Sequence, residues 1–300
     1  ASLLAAIIIL PFISGALILA LGERRRVINQ LLALGTSVVA LVLSCALAGR
    51  EMTLALPYFG FDWDMSFRLY HFSSFIVIAS CAFAALIALY STVFMKDRER
   101  SGQFFGYFTL TLGLVNGAVL ADHLILLLFF WEGLLVTLFA MIAIGNPDGY
   151  KAATKAFIIV GLSDLCMMIG IALTSMLAHT MVISDVSLPS TGLGSVAFIC
   201  LAIGAASKAG SMPFHSWIPD AAINAHLPFM AILPAALEKL LGIYFLARIA
   251  LDMFALTPGS WLSTLLMVVG GATIILAVLM ALIQKNYKRL LSFHAISQVG

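Results

Sequence analysis

Nine unbroken apolar stretches run through the chain, at 2–21, 27–48, 72–95, 103–121, 123–144, 156–178, 193–211, 228–250 and 261–283, and another begins near Leu290. A helix rising about 1.5 Å per residue needs about 20 apolar residues to cross roughly 30 Å of hydrocarbon, and each stretch meets that length. The strands of a membrane barrel would be about 10 residues long and alternating, and nothing here alternates. The expected fold class is therefore all-α, a polytopic transmembrane helix bundle. Composition agrees: 62% of residues are apolar and 10% charged, against about 25% charged in soluble domains. That balance excludes a cytosolic enzyme, a secreted disulfide scaffold, a nucleic-acid reader and a disordered chain.

Loop charges give an orientation. Arg24, Arg25, Arg26, Lys96, Arg98, Arg100, Lys151, Lys155, Lys285, Lys288 and Arg289 fall on one side of the nine-span arrangement, while only Arg50, Arg68 and Arg248 fall on the other. The positive-inside rule makes the richer side cytoplasmic and puts the N-terminus outside, in a cell inner (cytoplasmic) membrane. The first span has no basic leader and no small-residue cleavage site, so it does not read as a signal peptide. The chain lacks an initiator Met, and its last span is unfinished at Gly300, as expected of a piece of a longer protein. The longest polar stretch, 49–71, with Asp62, Trp63, Asp64 and Arg68, reads as an external loop or short hairpin. Trp63, Tyr70, Tyr107, Tyr150, Trp217, Tyr244 and Trp261 lie near span ends and read mostly as interface anchors. Cys45, Cys81, Cys166 and Cys200 are dispersed in apolar runs, as small buried hydrophobes would be.

Five ionisable residues interrupt the spans: Glu132, Asp164, Lys208, Glu238 and Lys239. Each costs about 2.5–3.5 kcal/mol at the centre of an inserting helix, so they are expected to face the bundle interior or a hydrated cavity. Lys208 is followed by Gly210-Ser211-Met212-Pro213, where the proline lacks an N–H and restricts its predecessor, so the helix should break between Lys208 and Pro213. Broken helices at membrane depth line cavities rather than lipid. Burial favours the neutral form of an ionisable group and pairing the charged form. A carboxylate moving toward or away from a buried lysine therefore makes it bind or release a proton. Glu238 and Lys239 point about 100° apart on a helix and need partners on other helices.

Further polar residues extend this pattern. His215, Asp220, Asn224 and His226 lie between two spans, and Ser292, His294, Ser297 and Gln298 line the start of the last. Histidine is a natural proton carrier, so His215, His226 and His294 are candidate auxiliaries. His71, His123 and His179 sit at span ends and read as loop or cap residues. No pair of histidines stands at mid-depth as a haem would need and no metal-ligand spacing occurs; no cofactor is expected.

Four motifs carry a resemblance: WEGLLVTLFAMI around Glu132, GLSDLCMMIG around Asp164, SKAGSMPFHSWIPDA from Ser207 to Ala221, and KNYKRLLSFHAISQVG from Lys285 to Gly300. In this order and spacing they make residues 120–300 similar to the antiporter-like membrane subunits of respiratory complex I, Mrp-type sodium/proton antiporters and energy-converting membrane-bound hydrogenases. The resemblance implies a fold of inverted five-helix repeats, with three N-terminal spans in 1–102 and the first repeat, followed by the start of the next helices, in 103–300. It implies that Glu132 is the mid-membrane glutamate pairing with a lysine two helices on, that Lys208 is that pumping lysine, and that Asp164 tunes or feeds the pair. Lys239 would be the connecting residue toward the second half-channel and Lys288 would continue the polar axis; Glu238 maps to no residue of the general pattern. The string EKLLGIYFLAR leans toward the hydrogenase branch. The function implied is proton translocation within a redox-driven complex. Its partners would be other membrane subunits and an iron–sulfur, hydrogenase or quinone-module arm, with membrane lipid around it and no nucleic acid. The alternatives are an Mrp-type sodium/proton antiporter subunit and a non-transporting scaffold whose charges only dock helices.

Overall fold

The computed structural model describes residues 2–56 and 65–300, so Asp62, Trp63 and Asp64 lie outside the described residues. Three helices open the chain: α1 (Ser2–Leu21), α2 (Arg26–Ala46) and α3 (His71–Phe94). Between α2 and α3, strands β1 (Met52–Ala55) and β2 (Ser66–Leu69) pair antiparallel, Met52 opposite Leu69, as a hairpin reading of the polar stretch requires of its two arms. Then follow α4 (Ser101–Leu120), α5 (Leu124–Ala143), α6 (Gly149–Ala178), α7 (Leu193–Ala209), α8 (Trp217–Asn224), α9 (Leu227–Ile232), α10 (Glu238–Ala247), α11 (Trp261–Leu282) and α12 (Tyr287–Ser297). Among the described residues eight helical stretches are long and apolar enough to cross a membrane. The first of these, Ser2–Ala46, folds back on itself, because Thr36 of α2 donates to Ser14 of α1 at 2.8 Å. The nine crossings expected from the sequence are therefore present.

The bundle is organised around α4, the most enclosed of the long helices. In hydrocarbon, helices gain from close packing rather than from leaving water, so small residues mark their contacts. A Cβ at Gly106 would lie 2.5 Å from the Leu19 side chain, and one at Gly113 3.1 Å from Phe12, so both glycines admit α1. Pro11 inside α1 leaves the Ile7 carbonyl without its usual N–H partner. Asn116 of α4 supplies the replacement, donating its amide at 3.3 Å.

The same logic seats the helices around the buried charges. A Cβ on Gly204 would strike Met167 at 2.7 Å and one on Gly170 the Leu201 backbone at 2.8 Å, bringing α6 and α7 together. Gly242 of α10 stands against α7, where a Cβ would lie 2.6 Å from both the Ala205 carbonyl and the Ala209 amide. The α7 helix stops as the sequence predicted: Gly210, at φ +86°, caps it in the left-handed region, and Ser211 donates its amide to Ala206. A short 3₁₀ turn at Phe214–Ser216 and α8 complete the crossing. Thr273 of α11 tethers the break, sharing a hydrogen bond with the Ser211 hydroxyl at 3.1 Å and accepting from the Met212 amide.

Periodicity did not foresee that the crossing 228–250 is irregular. It contains π-helical segments at Leu233–Leu237, which holds Pro234, and at Arg248–Met253. Two expected interface aromatics are corrected as well: Tyr244 and Trp217 are fully buried, whereas Tyr150 and Trp261 are exposed as anchors should be. Of the four free cysteines only Cys81 is buried; Cys45 is exposed and the other two are half-buried.

Because the Gly242 contact is with backbone, neither helix relieves it by turning a side chain. Gly242→Ala is expected to separate α10 from α7 and to lower stability by about 1–3 kcal/mol. A reduced midpoint of thermal unfolding in detergent checks this; an unchanged midpoint would contradict the packing described.

Candidate functional site

The mid-membrane charges converge. Trp131 and Glu132 come from the middle of α5, Asp164 from the middle of α6, Lys208 from the last turn of α7 and Glu238 from the first turn of α10. Lys208, its side chain fully buried, forms an ion pair with Asp164 at 3.6 Å. Its ammonium also donates to the Trp131 carbonyl at 3.2 Å and lies 5.1 Å from the centre of the Trp131 ring. The Trp131 indole N–H donates to Asp164 at 2.8 Å, and the far side of the ring system meets Phe245 of α10 edge-on at 5.5 Å. One tryptophan thus touches both members of the pair and connects them to α10. Sequence reasoning passed over Trp131. The available signal was an indole N–H at the middle of a span, which requires a partner when buried.

The resemblance assigned the lysine's pairing to Glu132. The direct pair is with Asp164. Glu132 is half-buried, with one carboxylate oxygen enclosed and unbonded, and lies within range of the Lys208 and Asp164 charges. Glu238 is completely buried, is within range of the same two charges, and has no hydrogen-bond partner on either carboxylate oxygen. It joins this centre rather than a separate auxiliary path. Lys239 turns the other way, as its helical position requires, and donates to the Ala295 carbonyl of α12 at 2.8 Å.

The remaining candidates lie outside this centre. Lys288 and Ala295 line a cavity of about 370 Å³ that also meets Met230 and Pro234. His215 is half-buried, 6.2 Å from the Phe293 ring, with its Nδ1 enclosed. His226 sits at the N-cap of α9, just outside the crossing helices, edge-on to Phe104. Burial lowers the pKa of its imidazole from the ordinary value, and Arg98 and Lys288 act in the same direction against a backbone hydrogen bond to Ile144. His294 is exposed on α12 beside Val278 and Leu282 of α11 and joins none of the hydrogen bonds around Lys208. On the basic side Asp220 bridges Lys155 at 2.7 Å and Arg289 at 3.3 Å, joining α6, α8 and α12. His71 pairs with Glu51, His123 caps α5 by accepting from the Ile125 amide, and His179 caps α6. Among the described residues no three His, Cys, Asp or Glu side chains come together to hold a metal.

A second buried pair lies at the opposite end. Arg248, counted from sequence as an outer loop charge, is 2% exposed and binds Asp122 at 3.0 Å and the Ala121 carbonyl at 3.2 Å. Its guanidinium stands over the rings of Tyr70 and Tyr244, at 5.6 and 5.9 Å. Tyr244 donates to the Val119 carbonyl, and Ser184 donates to the second Asp122 oxygen at 2.8 Å. This cluster ties the start of α5 to the end of α10 and closes the bundle there. Asp122 and Arg248 are 126 residues apart in sequence, and no local spacing announces such a pair.

A family model described as NADH:quinone oxidoreductase/Mrp antiporter, transmembrane, matches residues 121–300. The Na(+)/H(+) antiporter subunit A1 of Staphylococcus epidermidis is 33% identical over 223 residues, covering 72% of this chain and 27% of that protein. NADH-quinone oxidoreductase subunit L of Buchnera aphidicola is 29% identical over 250 residues, covering 80% of this chain and 40% of that protein. The chain thus spans between about a quarter and two fifths of the length of these curated relatives. Among solved structures, the Mrp complex of Dietzia sp. superposes with a TM-score of 0.88 at 22% identity, over 99% of this chain and 33% of that one. An archaeal membrane-bound sulfane sulfur reductase gives 0.84 at 20% identity, over 100% of this chain and 63% of that one.

Two stability tests follow from the geometry. A hydrogen bond to a charged group contributes about 1.5–3 kcal/mol, so a double-mutant cycle of Trp131→Phe with Asp164→Asn should return a coupling energy of that order in thermal or denaturant unfolding. Removing one member of a buried ion pair costs about 3–5 kcal/mol; Asp122→Asn should therefore lower the unfolding midpoint much more than Asp148→Asn, whose pair with Lys151 is exposed.

Proposed function

Because this chain belongs to the NADH:quinone oxidoreductase/Mrp antiporter transmembrane family, we propose that it is the proton-translocating part of an antiporter-like subunit in a redox-driven membrane complex. The observation that carries this reading is the fully buried Lys208–Asp164 pair, held at the broken end of α7 with Glu132 and Glu238 within charge range. A structural ion pair needs one acid and one base. This centre has one base and three acids, so its charges do not all cancel, and protonation of a carboxylate is the simplest way to balance them inside a low-dielectric bundle. Lys208 is the group that changes protonation, Asp164 and Glu132 set how tightly it holds its proton, and Trp131 fixes the geometry. Lys239, the cavity beside Lys288, and the half-buried His215 and His226 form the approach from the basic side, which this reading makes cytoplasmic, with the N-terminus outside in a cell inner membrane. His294, at the start of the last span, is a further auxiliary in this reading, and the chain divides at residue 103 into three N-terminal spans and the first repeat. The driving redox chemistry belongs to partner subunits. The Asp122–Arg248 cluster closes the opposite end.

The match to the Staphylococcus subunit A1, a protein named as a sodium/proton antiporter subunit, favours a second reading. In it the same charge centre exchanges protons for sodium and is driven by ion gradients alone. Co-purification with an iron–sulfur-containing arm separates the two.

Proton uptake by proteoliposomes holding the assembled complex, with redox turnover followed in parallel, tests both against a scaffold role. Lys208→Ala should assemble and lose proton transport, and Glu132→Gln should transport more slowly, on the order of ten- to a hundredfold less. Wild-type transport by the assembled Lys208→Ala complex would overturn the relay.

A further inference from the structure

Most carboxylates buried in this bundle or drawn to a helix end are anchored. Asp164 is held by the Trp131 indole, Asp122 by Arg248 and Ser184, and Glu23 by the amides of Gly102 and Gln103 at the start of α4. Glu132 is half-buried and unbonded at one enclosed oxygen, but among the described residues Glu238 is the fully buried exception: it is 0% exposed and neither of its oxygens is bonded. An unbonded carboxyl buried at mid-membrane is costly, and nothing in helix docking requires one here, because α10 already meets α7 through Gly242 and α5 through Phe245. Local backbone supports a special role. Glu238 follows directly on the π-helical segment Leu233–Leu237, and π-bulges re-aim side chains and recur at functional sites. Gly242, one turn further, presses α10 onto Ala205 and Ala209, the residues that flank Lys208 on α7.

We propose that Glu238 is the second carboxylate partner of Lys208, so that the ammonium works between Asp164 on α6 and Glu238 on α10. This rests on the relay reading above and adds the direction in which the proton leaves. In the first position Lys208 is charged and paired with Asp164. In the second it meets Glu238, the N–H bond of the ammonium breaks, an O–H bond forms on the carboxylate, and a neutral amine and a neutral carboxylic acid result. Glu238 then lies beside Lys239 in sequence but on a different side of α10, and Lys239 already reaches the α12 backbone. The Glu238–Lys239 step therefore carries the path from the α7 side of the helix to the α12 side.

The test uses the full-length protein in its assembled complex, with Glu238→Gln, Glu238→Asp and Lys208→Ala. Proton uptake is measured in proteoliposomes, and carboxylic C=O stretching bands by infrared difference spectroscopy across a pH step. Glu238→Gln is expected to cut transport at least about tenfold and to remove one carboxylic band. Glu238→Asp should restore transport in part and move that band, and Lys208→Ala should keep the band but change the pH at which it appears. Wild-type transport in Glu238→Gln, beside lost transport in Lys208→Ala, would overturn this proposal and leave the relay standing. Wild-type transport in both would overturn the relay itself. If Glu238→Gln does not assemble, the bands decide: none that moves in Glu238→Asp, or one that titrates alike with and without Lys208, overturns the partnership.

Discussion

An ammonium group held inside a membrane bundle is the constraint around which this structure is arranged. Lys208 has no water-exposed surface, so each of its contacts must come from another helix: a carboxylate from α6, and a carbonyl and an aromatic face from α5. Those contacts require α5, α6 and α7 to approach closely, and the glycines at 170, 204 and 242 remove the side chains that would keep α6, α7 and α10 apart. The break after Ala209 belongs to the same requirement. A regular helix would bury its polar backbone where the lysine sits, whereas the opened turn offers hydroxyls and amides that Thr273 ties to α11.

Two buried ion pairs of different character result. Asp122–Arg248 is enclosed by two tyrosines, a serine and a backbone carbonyl, and Arg248 also meets the half-exposed Asp252 at 3.7 Å. A guanidinium does not give up its proton in a protein, so this pair locks one end of the bundle. Lys208 shares its neighbourhood with three carboxylates, of which Glu132 and Glu238 are not anchored by a hydrogen bond. Trp131 links the lysine centre to Phe245, next to Tyr244 of the locked end, so the two buried pairs are connected through α10.

Much of this was legible in the sequence. The nine crossings, the hairpin between the second and third, the break between Lys208 and Pro213, and the placing of Glu132, Asp164, Lys208 and Glu238 inside the bundle all follow from run length, proline chemistry and the cost of charge in hydrocarbon. The motifs also pointed to the family that the match over residues 121–300 supports. The identity of the lysine's direct partner did not follow. Glu132 and Asp164 each sit mid-span and each suits a lysine by charge. Only the rotation of α5 and α6 about their axes, set by side-chain packing, brings Asp164 to 3.6 Å and turns Glu132 aside. Arg248 misled for a related reason: near the end of an apolar run it looks like a loop charge, and the groups that enclose it from elsewhere in the chain, Tyr70 and Asp122, lie far away in sequence.

What the sequence determined alone is what depends on solvent: which segments must be helical because their backbone has no water to bond, where a missing N–H breaks a helix, and which residues cannot face lipid. These are one-body costs, paid by each residue whatever its neighbours. What the tertiary structure decided is who meets whom: Asp164 rather than Glu132 on Lys208, Trp131 between them, Asp122 on Arg248, and Glu238 left with no bond at the heart of the site. Those are pair interactions across 33 to 126 residues of chain, fixed by helix rotation and by glycine contacts that no run of hydrophobicity records.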